Sequence, residues 1–376
     1  MTRKRLEPVL HGSLTPLQKF LRKLSLNRYA SAETLCGRFV RYAEESYRDG
    51  IIGAERHSML LSHAEKLRKF LTIKGIPDIP PECFSTEILL EYRRFLLDEY
   101  LYVPRYPDLY PPRHGKGFGH PEHPASANTV VTHMKGLQAF LGELEKTDEI
   151  VKSPFRRLTS SKKRALMHTM YNEPIFLRKE EFDRLVAWEA PPTLRGVKAA
   201  FLLNCCLGCR FGDFGSLSED NLSVSQDGIP YIHYIPSKTS RTRETNSEIV
   251  TPLVKLAYEI ILKTRFNFGF RLSKGNANAY NAKIRTMLRL AGICRCVTIY
   301  DRERKANVYV PLYMAASSKL ARKTHIDLLT KVQVDIYAAG LHSPGSGAVS
   351  RYTTFELKDR FTLLSLAFGQ PDYRAQ

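Results

Sequence analysis

The 376-residue sequence has one tryptophan, seven methionines and far fewer acidic than basic side chains. No run of about 18 apolar residues occurs, so no stretch reads as a membrane span and no membrane partner is expected. The basic start, Met1-Thr2-Arg3-Lys4-Arg5, is followed by no long apolar run, which argues against a secretory leader. A G-x-x-x-x-G-K-[ST] phosphate loop is missing: Gly115, Gly117 and Gly119, like Gly345 and Gly347, have the wrong spacing. There is no acidic metal cluster either, so no cofactor is expected. The seven cysteines are odd in number and form no disulfide framework. Cys206 and Cys209 with Cys294 and Cys296 offer a four-ligand zinc reading, but the first pair lies in an apolar helical run and not on a tight turn. Reduced buried thiols, and a cytoplasmic protein, are the expectation.

What is abundant is positive charge. Lys and Arg number 57 against 38 Asp and Glu, a net charge of +19. Such a balance says nothing of fold but attracts polyanions, and nucleic acid is the partner it favours. Apolar residues at 43% are ordinary for a globular chain, and the length suits two or three domains.

Residues 1–30 form a basic, partly amphipathic segment with Leu14, Leu17, Phe20 and Leu21 on one side. From 31 to 150 the pattern is helical. Leu60, Ala64, Leu67 and Leu71 share one face; Ser85 precedes a second helix carrying Ile88, Tyr92, Phe95 and Leu96; Met134, Leu137, Leu141 and Leu144 line a third after Asn128-Thr129. The irregular stretch 104–124 is long for a loop in a compact domain, which is common where loops carry function. Its His114, His120 and His123 have no cysteine partner and no standard metal spacing. On these segments Lys66, Lys69, Arg105, Arg113 and Lys116 are candidate DNA contacts. Residues 151–172 read as a basic linker whose Arg156 and Arg157 suit a duplex backbone.

From 173 onward the pattern is mixed. Glu180 to Leu185 begins a helix, and Val197 to Leu207 is a buried one stopped by Gly208. Leu222–Val224, Tyr231–Ile235 and Glu248–Val250 read as three antiparallel strands, with Asp227-Gly228 in the first turn. Helical spacing resumes at Leu253–Leu262, Ala282–Ala291, from Ser317 onward, and in a tail through Leu357, Phe361, Leu364 and Phe368. The expected fold is mainly α: a helical N-terminal domain, then a mixed α/β domain (173–376) with a small antiparallel sheet.

Within the second domain one arginine is out of place at the end of an apolar helix, and further chemistry-bearing residues follow it. Arg210 follows the helix-ending Gly208, with Asp213 nearby to orient it. Lys238 and Arg241 lie on a turn between strands. Lys319 and Arg322, three apart, share a helix face, and His342 and Tyr352 follow. Taken in order, Arg210, Lys238, Lys319/Arg322, His342 and Tyr352 resemble the catalytic set of the tyrosine recombinase, or phage-type integrase, family. The similarity extends to its conjugative and mobilisable transposon branch. The residues around Ser126-Ala127-Asn128-Thr129 and Pro154-Phe155 resemble that family's SAM-like core-binding domain. Three departures stand out: Lys319 sits where histidine is usual, Leu341 replaces a glycine, and Tyr352 lies one residue further from His342 than the commonest spacing.

The resemblance implies a site-specific DNA recombinase that cuts and rejoins duplex DNA through a 3′-phosphotyrosyl link. It implies recombination sites on the DNA, a homotetramer joined through the C-terminal tail, an accessory DNA-bending protein, and a bacterial origin. Packing of the tail on its own domain stands beside the tetramer contact. Two alternatives stay open: a type IB topoisomerase-like relaxing enzyme, and a recombinase-derived DNA-binding protein without catalysis.

Overall fold

The computed structural model describes residues 34–111, 120–170, 173–237, 248–332 and 356–375. Among the described residues the chain forms two compact units, one from residues up to 170 with 301–306, the other from the rest.

In the first unit, helices α1 (Leu35–Arg48), α2 (Ala54–Ile73), α3 (Thr86–Asp98) and α4 (Ala127–Lys146) enclose an aromatic core. Helix starts are set by side-chain oxygens on free backbone N–H groups: Thr34 accepts from Gly37, Ser85 from Ile88 and Ser126 from Thr129. The expected inward faces are buried as read, including Leu60, Ala64, Leu67 and Leu71 on α2 and Tyr92 and Phe95 on α3. Phe39 stacks on Phe140 at 4.5 Å, joining α1 to α4. Each such ring removed from water contributes about 2–3 kcal/mol.

The expected linker is not one. Residues 154–157 and 160–166 form short helices α5 (Pro154–Arg157) and α6 (Ser160–Leu166), and their Phe155 and Leu166 lie in the core of the first unit. One anchor per short helix leaves too few apolar positions for a period to show. Asn128 ties the end of this segment down, its side chain exchanging two hydrogen bonds with the backbone of Met170.

Two histidines are buried here without a partner for Nδ1, His63 on α2 and His133 on α4, with ring centroids 4.3 Å apart. Gly136 makes room for them, since a Cβ there would lie 2.2 Å from His63 Nδ1. Burial, with Arg56 and Lys66 nearby, lowers His63 to about 4; burial, His63 and Lys66 lower His133 to about 2.

In the second unit, α7 (Lys179–Ala187) leads to the buried α8 (Pro192–Leu207) and the single turn α9 (Phe211–Phe214). Strands β1 (Leu222–Val224), β2 (Pro230–Tyr234) and β3 (Ile249–Pro252) form one antiparallel sheet, with Leu222 opposite Ile232 and Tyr234 opposite Ile249. Helices α10 (Lys255–Thr264) and α11 (Ala277–Leu290) follow. Next in the chain come a hairpin that the pattern did not reveal, β4 (Cys296–Asp301) with β5 (Ala306–Pro311), of which 301–306 are counted with the first unit, and the turn α12 (Leu312–Ala315). Helices α13 (Lys319–Val332) and α14 (Leu357–Phe368) end the unit. Among the described residues no helix is long and apolar enough to cross a membrane.

Helix α14 buries Phe361, Leu364 and Phe368 within its own unit, with Phe368 edge-on to Phe182 at 5.3 Å. The chain after it continues over the same unit. Gln370 accepts from Leu256 N–H at the start of α10, Tyr373 Oη donates to Leu253 O, and Ala375 N–H donates to Gly228 O. Of the two expectations for the tail, a contact between protomers and packing on its own domain, these contacts belong to the second.

Two outcomes follow. Phe155→Ala will destabilise the chain by about 3–5 kcal/mol in denaturant unfolding, whereas a residue of a solvated linker would cost almost nothing. The neutral histidines will make the first unit acid-sensitive. Their folded pKa values lie below the unfolded value of about 6.5, so stability is complete above that pH and falls as the unfolded chain takes up protons the folded one refuses. Roughly 2–3 kcal/mol per imidazole will be lost by about pH 4.5, measured as hydrogen-exchange protection in α2 and α4.

Candidate active site

The site is built on the end of α8. The last carbonyls of a helix have no partner inside it and must find one elsewhere when buried. Gly208 ends the helix in the left-handed conformation, φ 65°, donating its N–H to Asn204 O. Glycine suits this conformation, and a Cβ here would also lie 2.5 Å from the His325 ring. Two side chains from α13 take the free carbonyls: Arg322 Nη1 donates to Gly208 O at 2.9 Å, and His325 Nδ1 donates to Cys205 O at 2.9 Å.

The chain then turns sharply. Cys209 is buried, with burial pushing its thiol up to about 11 despite a hydrogen bond from the Tyr234 hydroxyl. Arg210 follows in extended conformation at the start of α9, its side chain 40% exposed. Arg210 is thus presented to solvent two residues from the carbonyl that holds Arg322.

Asp213 does more than the sequence indicated. Its carboxylate is 3% exposed and faces Arg210 Nη1 at 3.9 Å, a charge contact too long for a hydrogen bond. Its closer partner is Ser237. Oδ1 accepts from Ser237 Oγ at 2.6 Å and from Ser237 N–H at 3.1 Å. Ser237 stands immediately before Lys238, so one carboxylate links the Arg210 turn to the strand end that leads to the lysine. Ser237 was not singled out from the sequence, where only its place beside Lys238 marks it.

Lys319 is exposed as the first residue of α13, one turn before the partly buried Arg322. Ahead of it, Asn281 Oδ1 accepts from Ser318 N–H at 2.7 Å and fixes the helix start against α11. Arg210, Asp213, Lys319 and Arg322 are therefore set around two neighbouring helix ends. Lys238, Arg241, His342 and Tyr352 lie outside the described residues, as do Arg113 and Lys116.

Of the remaining DNA-contact candidates, Arg105 and Arg157 are exposed, and Arg156 is exposed beside Glu145 at 3.4 Å. Lys66 and Lys69 each have a partner within the first unit. Lys66 is committed to an ion pair with the buried Glu99, and Lys69 lies over the Tyr110 ring at 4.2 Å. Glu99 also accepts from the Tyr110 hydroxyl, so both lysines brace the start of the 104–124 stretch. A helical face read as solvated charge conceals such pairings, because the acid comes from another helix. Of the cysteines, Cys205, Cys206 and Cys209 are buried while Cys294 and Cys296 are exposed, and among the described residues no His, Cys, Asp and Glu group could hold a metal.

No protein-family model matches the sequence, and no curated protein matches it. Solved structures do. A lambda integrase dimer bound to a COC′ core site aligns with TM-score 0.53 at 14% identity, covering 92% of this chain and 85% of that one. A shorter form of the same protein aligns with TM-score 0.52 at 15% identity, covering 86% and 99%. The Tn1549 transposon integrase in complex with circular intermediate DNA aligns with TM-score 0.48 at 11% identity, covering 87% and 98%. The chain therefore has the tyrosine recombinase fold, as the lambda integrase matches show.

Asp213→Asn will separate the two roles of this carboxylate. The amide can still accept from Ser237, so thermal stability will fall by only about 1–2 kcal/mol. The charge facing Arg210 will be gone, and any phosphate-dependent activity will fall at least tenfold, by about 1.4 kcal/mol or more of transition-state stabilisation.

Proposed function

We propose that this chain is a site-specific DNA strand-transferase that cuts and rejoins duplex DNA through a covalent phosphotyrosyl intermediate. The observation that carries the reading is the meeting of two arginines at one helix end, Arg322 on the Gly208 carbonyl and Arg210 two residues on. Two guanidiniums so arranged suit the non-bridging oxygens of a single phosphate, where charge builds up in a pentacoordinate transition state.

In this reading Tyr352 attacks the phosphorus in line and forms a 3′-phosphotyrosyl bond while the 5′-oxygen leaves. Lys238 supplies the leaving proton, and Asp213 aligns both the lysine's strand and Arg210. His342 holds a phosphate oxygen or moves the tyrosine proton. Lys319 has donors and no acceptor as an ammonium, so its part is to hold phosphate. The new bond conserves the energy of the broken phosphodiester, and reversal by a 5′-hydroxyl of another strand completes an exchange. The family resemblance extends this to recombination between specific sites, as a homotetramer on DNA, with a DNA-bending protein as a further partner. The lambda integrase tetramer bound to a Holliday junction, which aligns with TM-score 0.51 at 14% identity, has the same fold and is in keeping with a strand-exchange reading. Membership in the tyrosine recombinase family, and in its transposon branch, rests on the residues themselves.

The test is a nicked suicide duplex drawn from the DNA flanking the protein's own coding region. Wild type will form a covalent protein–DNA adduct, and Tyr352→Phe will form none while still shifting the duplex on a gel. Binding without any adduct by wild type would leave a DNA-binding protein only. Adducts accompanied by supercoil relaxation without exchange of partners would favour a topoisomerase.

A further inference from the structure

His325 has no part in the reaction above, yet it is the side chain most closely fitted to the site. It lies one turn after Arg322 on α13, so both residues face the end of α8. Its Nδ1–H donates to Cys205 O, which fixes the tautomer and leaves Nε2 without a proton. The ring closes against Gly208 so tightly that its atoms stand 2.5–2.9 Å from where a Cβ would be. Its other neighbour is Phe368 of the C-terminal helix, at 6.0 Å between ring centroids. Burial lowers the imidazole to about 4, so it donates at neutral pH as a neutral ring.

We propose that His325 is a positioning residue for the arginine pair. Its ring and its hydrogen bond fix the last turn of α8, so that the Gly208 carbonyl meets Arg322 and the chain leaves toward Arg210 at one angle. Arg322 spends one nitrogen on that carbonyl, and where the carbonyl sits decides where the rest of the guanidinium points. If the turn rotates, both arginines move together. The C-terminal helix, by packing Phe368 on the same imidazole, supports the site from behind.

The inference rests on the strand-transfer reading and is tested on the full chain with two suicide substrates. One has a normal scissile phosphodiester; in the other the scissile phosphate is a methylphosphonate. Replacing one charged oxygen by methyl lowers the demand for cationic neutralisation, so misplaced arginines matter less. His325→Phe keeps a ring but loses the donor, and His325→Asn keeps an N–H near the Nδ1 position. His325→Phe is expected to cleave the phosphodiester roughly ten- to hundredfold more slowly, the range for a site misaligned by about 1 Å. On the methylphosphonate its deficit will be several-fold smaller, and His325→Asn will recover most of the phosphodiester rate. The ratio of the two rates cancels the amount of folded protein, so a variant that folds poorly cannot mimic this result. An equal deficit on both substrates, or wild-type cleavage by His325→Phe, overturns the positioning role while leaving strand transfer intact. No cleavage of either substrate by wild type overturns both.

Discussion

A buried helix end with unpaired carbonyls is the constraint on which the second unit depends. Helix α8 runs through the core and stops at Gly208 with its terminal carbonyls still inside the protein. Leaving one such group without a donor costs about 1–3 kcal/mol, and water has poor access there. The partial negative charge of the helix C-terminus adds a preference for cationic donors. Arg322 satisfies both demands, and in doing so it is held beside the turn that carries Arg210. The packing requirement of the helix and the gathering of positive charge are thus one arrangement. A lysine at 322 would cap the carbonyl but has no planar fork with nitrogens to spare for a bidentate oxygen pair.

The same economy appears on the strand side. Asp213 is nearly inaccessible, and a buried carboxylate persists only where donors and countercharge surround it. Ser237 supplies two donors to one oxygen, while the other faces Arg210. Because Arg210 approaches no closer than 3.9 Å, its charge is only partly committed to the aspartate. Arg210, Arg322 and Lys319 set three positive groups around two helix ends against one carboxylate, Asp213. The surplus is a local form of the chain's overall +19.

Much of this was legible in the sequence where local chemistry and pattern agree. Leu60 to Leu71, Ile88 to Leu96 and Met134 to Leu144 repeat at helical spacing and are buried accordingly. Gly208 marked the end of an apolar run, and the three strands of the first sheet are bounded by turn residues. The hairpin of β4 and β5 was invisible because its turn, Arg302 to Lys305, contains neither glycine nor asparagine. Lys305 takes the left-handed conformation, φ 50°, that those residues usually mark. Residues 154–166 passed for a linker because two anchors, Phe155 and Leu166, make no period. The uses of His325 and Ser237 were out of reach for a different reason. Each is defined by a carbonyl or carboxylate more than twenty residues away, and no spacing rule encodes that.

The position of Lys319 narrows what it can contribute. At the first turn of α13 it stands against the positive end of a helix dipole, which disfavours a cation by about 0.3–1 kcal/mol. An anion bound at this point would reverse the sign, gaining from the ammonium and from the helix dipole together. Exposure leaves the ammonium solvated and able to reach such an anion at little cost. A histidine at 319 would bring an acceptor nitrogen as well as a donor; the ammonium brings donors alone. Under the strand-transfer proposal, phosphate binding would gather on Arg210, Arg322 and Lys319, and taking up the tyrosine proton would pass to another group. His342 is the residue in the set whose chemistry permits it.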